Sequence, residues 1–262
     1  MGQNLQGSIQ AQSKVTCRAA RARGGHWKIR RRDFTVQSMN AGSRKAWTEI
    51  VTPEDYDHHM VAIGQAQASA DLVLWFLARA HPPRGSRVTV VGAGTGWMLD
   101  HVDLTSFEGL RFTFTDLSPR FLQVLRERVA AHQIAAEVLS DDIEASRLPV
   151  GMHLLIAGLV LEHIDWRIGV TSIAGLRPRF VGVVIQENPP GMTTPITPGR
   201  TLPASIEKAS KVALSNLVPR QEVIRAFERL GYRCEEESVR SVADGKRLVG
   251  CLFCAAAEPP TT

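Results

Sequence analysis

Val88-Thr-Val-Val-Gly-Ala-Gly-Thr-Gly96, with Asp116 closing the next apolar run, is the stretch whose reading decides the fold. An apolar strand enters a turn containing Gly92, Ala93, Gly94 and Gly96. Glycine suits such a turn because it accepts positive φ and lets backbone approach a ligand closely. An acid at the end of the following strand suits a ribose, whose two hydroxyls can both donate to one carboxylate. Together they point to a nucleoside-bearing cofactor.

The spacing narrows which one. A dinucleotide loop wants Gly-x-Gly-x-x-Gly, and its third glycine position is occupied here by Trp97, where a helix should pack closely on a strand. A phosphate-binding P-loop would need Gly-Lys-Ser/Thr, which this turn lacks.

Working outward, the chain alternates strands and helices. Thr52-Pro-Glu-Asp55 is a helix start, with a capping hydroxyl, a proline for the first turn and two acids at the positive helix end. That helix is expected to run to about Ala80. Strands are expected at 88–91, 111–115, 136–139, 153–157 and 180–186. Helices are expected at 96–102, from Ser118-Pro119 to about His132, and at 165–176. This rhythm predicts a doubly wound parallel sheet covered on both faces. Residues 188–203 carry five prolines and two glycines and read as a lid-like loop over the carboxyl edge of the sheet. Helices at 204–216 and 220–230 follow, the second capped by Gly231. A hairpin, 232–242 and 246–256, then adds an antiparallel element.

The 262 residues are 44% hydrophobic, ordinary for a globular chain, and no apolar run is long enough for a membrane-spanning helix. The net charge of +5 is uneven. Residues 1–38 hold eight basic side chains against Asp33, so the remaining body is mildly acidic. The tail reads as disordered by composition. A nucleic-acid arm, a transit peptide and a stretch upstream of an initiator at Met39 remain open for it. Cys251 and Cys254 would face opposite sides of a strand and could not easily share a metal. No metal site is read from the sequence. The cysteines read as small buried hydrophobes in a reducing, cytoplasmic setting.

From about Thr52 to Ala256 the sequence resembles the class I S-adenosylmethionine-dependent methyltransferases. Val90-Val-Gly-Ala-Gly-Thr-Gly96 is similar to their nucleotide-binding turn, and Asp116 to their ribose acid. Ser140-Asp-Asp-Ile143 matches their adenine-binding segment. Leu159-Val-Leu-Glu-His-Ile164 matches a segment common in members acting on small molecules. The resemblance implies a Rossmann-like α/β fold: a seven-stranded, mostly parallel sheet with an antiparallel C-terminal hairpin strand, in a single domain over 39–262. It implies S-adenosyl-L-methionine as cofactor. Gly92, Ala93, Gly94, Gly96, Asp116, Leu117, Asp141, Asp142, Ile143, Gly158 and Leu159 would surround it. The family's usual acid two residues before the first glycine is Val90 here. The cofactor's ammonium then needs another partner, with Asp57, His59 or Gln65 available.

The expected reaction is in-line methyl transfer to a small-molecule nucleophile, which demands alignment and exclusion of water. Glu162 and His163, just past the fourth strand, are the expected catalytic pair, since ligands bind at that edge of open α/β sheets. Glu187 and Asn188 end the fifth strand and are further residues within reach of substrate. Asn188-Pro-Pro-Gly191 resembles the Asn/Asp-Pro-Pro-aromatic motif of enzymes that methylate nucleic-acid bases. It follows the wrong strand and has glycine for the aromatic residue, so a nucleic-acid substrate is not expected. An RNA- or protein-directed methyltransferase, and a protein that binds the cofactor without transferring a methyl, are the alternatives.

Overall fold

Strand β1 (Arg87–Val91) pairs in parallel with β2 (Arg111–Asp116) on one side and with β4 (Leu154–Gly158) on the other. In this computed structural model, which describes residues 41–104, 107–213 and 216–256, those pairings set the centre of a seven-stranded sheet. The basic tail, Cys17 and Met39 lie outside the described residues. The remaining strands are β3 (Ala136–Ser140), β5 (Phe180–Glu187), β6 (Tyr232–Ser241) and β7 (Arg247–Ala255). The order is β3-β2-β1-β4-β5-β7-β6, with β7 antiparallel to both neighbours. The expected doubly wound sheet with its antiparallel hairpin is therefore present.

Alternating side chains build two cores. Leu154, Ile156, Phe180 and Val184 face one side with α3 (Gln65–Ala80) and α4 (Pro119–Ala131). Leu155, Ala157, Val181 and Val183 face the other with α5 (Trp166–Gly175) and α7 (Arg220–Arg229). Burial on both faces is why these strands are continuous apolar runs rather than alternating ones. The same alternation puts Cys254 in the first core and Cys251 in the second.

Three expected elements differ. The long helix from Thr52 is two helices, α2 (Pro53–Ala62) and α3, bent by 83°. Thr52 caps α2 as expected, its Oγ1 accepting the Asp55 N–H at 3.3 Å. The break is at Gly64, which takes a left-handed φ of 71°. The Ile63 carbonyl freed there accepts the N–H of Ala243 at 3.1 Å. A lone glycine in a helical pattern costs only about 1 kcal/mol, so periodicity alone runs straight through it. The helix expected after Gly96 is a single 3₁₀ turn, Trp97–His101. The helix expected over 204–216 ends at Ser210 as α6 (Ala204–Ser210). Among the described residues, no single helix is long and apolar enough to cross a membrane.

Helix α3 lies close on the sheet because two strands have glycine beneath it. A Cβ on Gly182 would sit 2.8 Å from the Phe76 ring, and one on Gly250 would sit 2.9 Å from Leu72. Gly182→Ala should therefore destabilise by about 1–3 kcal/mol through overpacking. Urea unfolding reads this directly, and an unchanged or raised midpoint would contradict the packing.

Candidate functional site

The glycine turn leaves β1 at the carboxyl edge, where Gly92, Gly94 and Gly96 all have left-handed φ, of 60°, 61° and 74°. Their missing Cβ atoms admit neighbours. Val160 Cγ2 would lie 2.5 Å from a Cβ on Gly92, the Tyr56 ring 3.1 Å from one on Gly94, and Leu125 Cδ1 2.5 Å from one on Gly96. Asp116, ending β2, fixes the turn: its Oδ2 accepts the Gly94 N–H at 2.8 Å and its Oδ1 the Ser118 N–H at 2.8 Å. Burial raises this carboxyl, and the amide donors of Ser118, Gly94 and Leu117 oppose the shift.

A cavity of about 690 Å³ opens along this edge. Of the residues expected around the cofactor, Gly92, Gly94, Asp116, Leu117, Asp141, Asp142, Ile143, Gly158, Leu159 and His59 line it, as do Glu162 and His163. Ala93 and Gly96 do not. Ala93 packs in the core, and Gly96 makes room for Leu125 of α4.

Beyond β3, the Asp141 Oδ1 accepts the Arg147 N–H at 2.9 Å, whereas its Oδ2 is buried with no partner among the described residues. Asp142 is committed: it accepts the Glu144 N–H and pairs with Arg44. Past β4, Gly158 has open space where a Cβ would be, and Leu159 takes a left-handed φ of 56°. That geometry is uncommon for leucine and turns the chain sharply at the cavity wall.

Glu162 is 4% exposed, and its Oε1 accepts the N–H of Gln186 at 2.9 Å. Its Oε2 has no partner among the described residues. Burial pushes this carboxyl up to about 7 from 4.5, against the Gln186 donor. His163 packs edge-on against Trp47, ring centroids 4.6 Å apart, with Nδ1 unpartnered among the described residues. Burial pushes its imidazole down to about 4 from 6.5. At neutral pH the histidine is uncharged and the glutamate is near its midpoint.

Val90 is packed in the core. Of the three groups available to replace an acid there, Asp57 is removed: it accepts from Thr95 and pairs with Arg128 at 2.9 Å, away from the cavity. His59 and Gln65 line the cavity. Glu187 and Asn188 do not. Glu187 pairs with Arg220 at 2.8 Å and Arg247 at 2.7 Å, and Asn188 bonds within its own loop.

Residues 194–200 and Leu202 of the lid-like loop form the far wall. Arg200 forks onto Asp244 at 3.0 and 2.6 Å, and Gln186 and Lys246 both donate to Pro195 O, at 3.0 and 2.6 Å. Trp47, Tyr56, Gln186, Asp244 and Lys246 are wall residues without a local motif. Asp244 and Lys246 arrive through the hairpin, whose Ala243 N–H bonds the Ile63 carbonyl, and Gln186 through the end of β5.

No known protein family matches this sequence, and no curated protein does. Solved structures do. Magnesium protoporphyrin IX methyltransferase from Synechocystis PCC 6803, solved with S-adenosylhomocysteine bound, superposes with a TM-score of 0.55 at 14% identity, over 72% of this chain and 82% of that one. This is the fold of class I S-adenosylmethionine-dependent methyltransferases. Geranyl diphosphate C-methyltransferase from Streptomyces coelicolor A3(2) shares the methyltransferase fold at 0.54 and 10% identity, over 71% of this chain and 78% of that one. So does the [4+2]-cyclase SpnF, at 0.56 and 11%, over 73% and 83%. The fold therefore does not by itself fix the reaction.

The two buried titratable groups give opposite pH signatures. Between pH 4.5 and about 7 the native Glu162 holds a proton that the unfolded chain has released, so its contribution to stability falls as pH rises. Between pH 4 and 6.5 the unfolded chain binds a proton that native His163 refuses, so its contribution rises with pH. Glu162→Gln should remove the first slope and His163→Phe the second, in urea midpoints measured across pH. Profiles parallel to wild type would contradict the burial of these groups.

Proposed function

We propose that this chain is an S-adenosyl-L-methionine-dependent methyltransferase acting on a small molecule. One observation carries the reading: Asp116, clamped to the glycine turn, and the unpartnered Asp141 Oδ2 lie on one cavity. The Gly94 and Ser118 amides each hold one oxygen of Asp116, with the Leu117 amide adding to them, and the carboxylate's remaining acceptor capacity faces the cavity, where ribose hydroxyls would donate. The buried Asp141 Oδ2 needs a donor, which an adenine amino group would supply. The open space at Gly158 admits the backbone-hugging part of such a ligand. These features fit the cofactor.

In this reading Asp116 holds the ribose and Asp141 the adenine amino group. Leu117 and Ile143 give apolar cover, and Gly92, Gly94, Gly158 and Leu159 form the floor. Gln65 takes the ammonium that Val90 cannot. Its Nε2 donates to Gln186 at 3.1 Å, which leaves its carbonyl oxygen as an acceptor. Bound S-adenosylmethionine supplies a methyl group already activated on a sulfonium. The protein's share is alignment and exclusion of water. The lid, tied to Asp244 through Arg200, covers one side of the cavity. His163, kept neutral by burial, can accept a hydrogen bond from a nucleophile's hydroxyl without becoming charged at neutral pH. A concave, mainly apolar cavity of this size suits a small molecule.

Calorimetric titration with S-adenosylhomocysteine tests this reading. Wild type should bind, and Asp116→Asn should bind at least about tenfold more weakly, roughly 1.4 kcal/mol. No binding by wild type, or equal affinity in the variant, would contradict it.

A further inference from the structure

Lys246 sits at the start of β7, where Arg247 pairs with Glu187 at the carboxyl edge of β5. It is 8% exposed and lines the cavity. From β2, which carries Asp116, the sheet order places β7 four strands away. At about 4.8 Å per strand that is ~19 Å. The ribose site at Asp116 and the Lys246 end of the cavity are thus well separated, while Gln65 lies between them, bonded to the Gln186 that shares Pro195 O with Lys246.

At this end two cations, Arg200 and Lys246, share one carboxylate, Asp244. Among the described residues the only acceptor on the Lys246 ammonium is Pro195 O, at 2.6 Å. The nearest carboxylate, Asp244, is already taken by the Arg200 fork and by the Thr197 hydroxyl. His59 adds no negative charge, and burial with Arg200, Lys246 and His58 nearby lowers its imidazole. Burial likewise pushes the Lys246 ammonium down, with Asp244 opposing and Arg200 adding to the shift. A buried ammonium held by one carbonyl is costly unless an anion completes it. Apolar wall residues join it there: Val242, whose N–H donates to Lys246 O, Ile63, whose carbonyl accepts the Ala243 N–H, and Ile196, next to Pro195.

We propose that Lys246 is the subsite for a carboxylate on the methyl acceptor, and that the acceptor is an apolar or aromatic acid. The apolar body would lie along the α2 and lid walls, with its carboxylate on Lys246 and its nucleophile toward β4. This rests on the proposed function for the position of the cofactor.

The test uses the full chain and calorimetry. S-adenosylhomocysteine should bind wild type and Lys246→Gln with affinities within about threefold. 2-Naphthoate should bind wild type at least about tenfold more tightly than 2-naphthamide, with and without S-adenosylhomocysteine present. Lys246→Gln should abolish that preference, and Lys246→Arg should keep it. Equal binding of acid and amide by wild type, or binding of neither, would overturn the subsite. So would a preference that survives in Lys246→Gln. A tenfold loss of S-adenosylhomocysteine affinity in Lys246→Gln would assign the lysine to the cofactor's own carboxylate and also overturn it. The acid–amide comparison on wild type without S-adenosylhomocysteine needs neither a variant nor the cofactor. Failure of the cofactor reading is thus distinguishable from failure of this one.

Discussion

Strand β1 is flanked by two parallel neighbours that the chain reaches by winding in opposite directions, to β2 and β3 on one side and to β4 and β5 on the other. Parallel crossovers keep one hand, so this reversal leaves the connections after β1 and β4 diverging at the carboxyl edge, with a crevice between them. The candidate cofactor segments sit on the lips of that crevice. The glycine turn leaves β1 into it, Asp116 enters from β2, and Gly158 to His163 enter from β4.

Asp116 then makes the crevice a site. Its carboxylate receives the Gly94 and Ser118 amides, so the turn and the start of α4 are positioned by the group that also faces the cavity. The glycines serve two ends. They take left-handed φ, and they leave space for Val160, Tyr56 and Leu125, which side chains at those positions would displace. A turn of this kind serves packing as much as ligand approach, which explains why Gly96 contributes without touching the cavity.

The sheet was legible in the sequence because strands buried on both faces must be mainly apolar, and those of the centre are, with threonines such as Thr89 among the valines and phenylalanines. The segments that meet at the cavity were legible because each is local: a turn, an acid, a short run after a strand. What was not legible depends on residues meeting from far along the chain. The bend at Gly64 is driven by a carbonyl that finds Ala243 nearly two hundred residues later, and helical periodicity carries no trace of that partner. Lys246 in its hairpin turn has the composition of a surface loop. It is buried where the lid meets it, its ammonium donating to Pro195 O. Asp57 shows the reverse case, since an acid well placed along the helix is withdrawn by Arg128 and Thr95.

The central claim is that the crevice holds S-adenosylmethionine with its ribose on Asp116 and its adenine on Asp141. A crystal structure of the chain grown with S-adenosylhomocysteine tests it most directly. Both ribose hydroxyls should lie within hydrogen-bonding distance of the Asp116 carboxylate, with the adenine amino group on Asp141 Oδ2. The Lys246 end of the cavity should be free of the ligand. Density for the ligand elsewhere, or with its ribose turned away from Asp116, would contradict it.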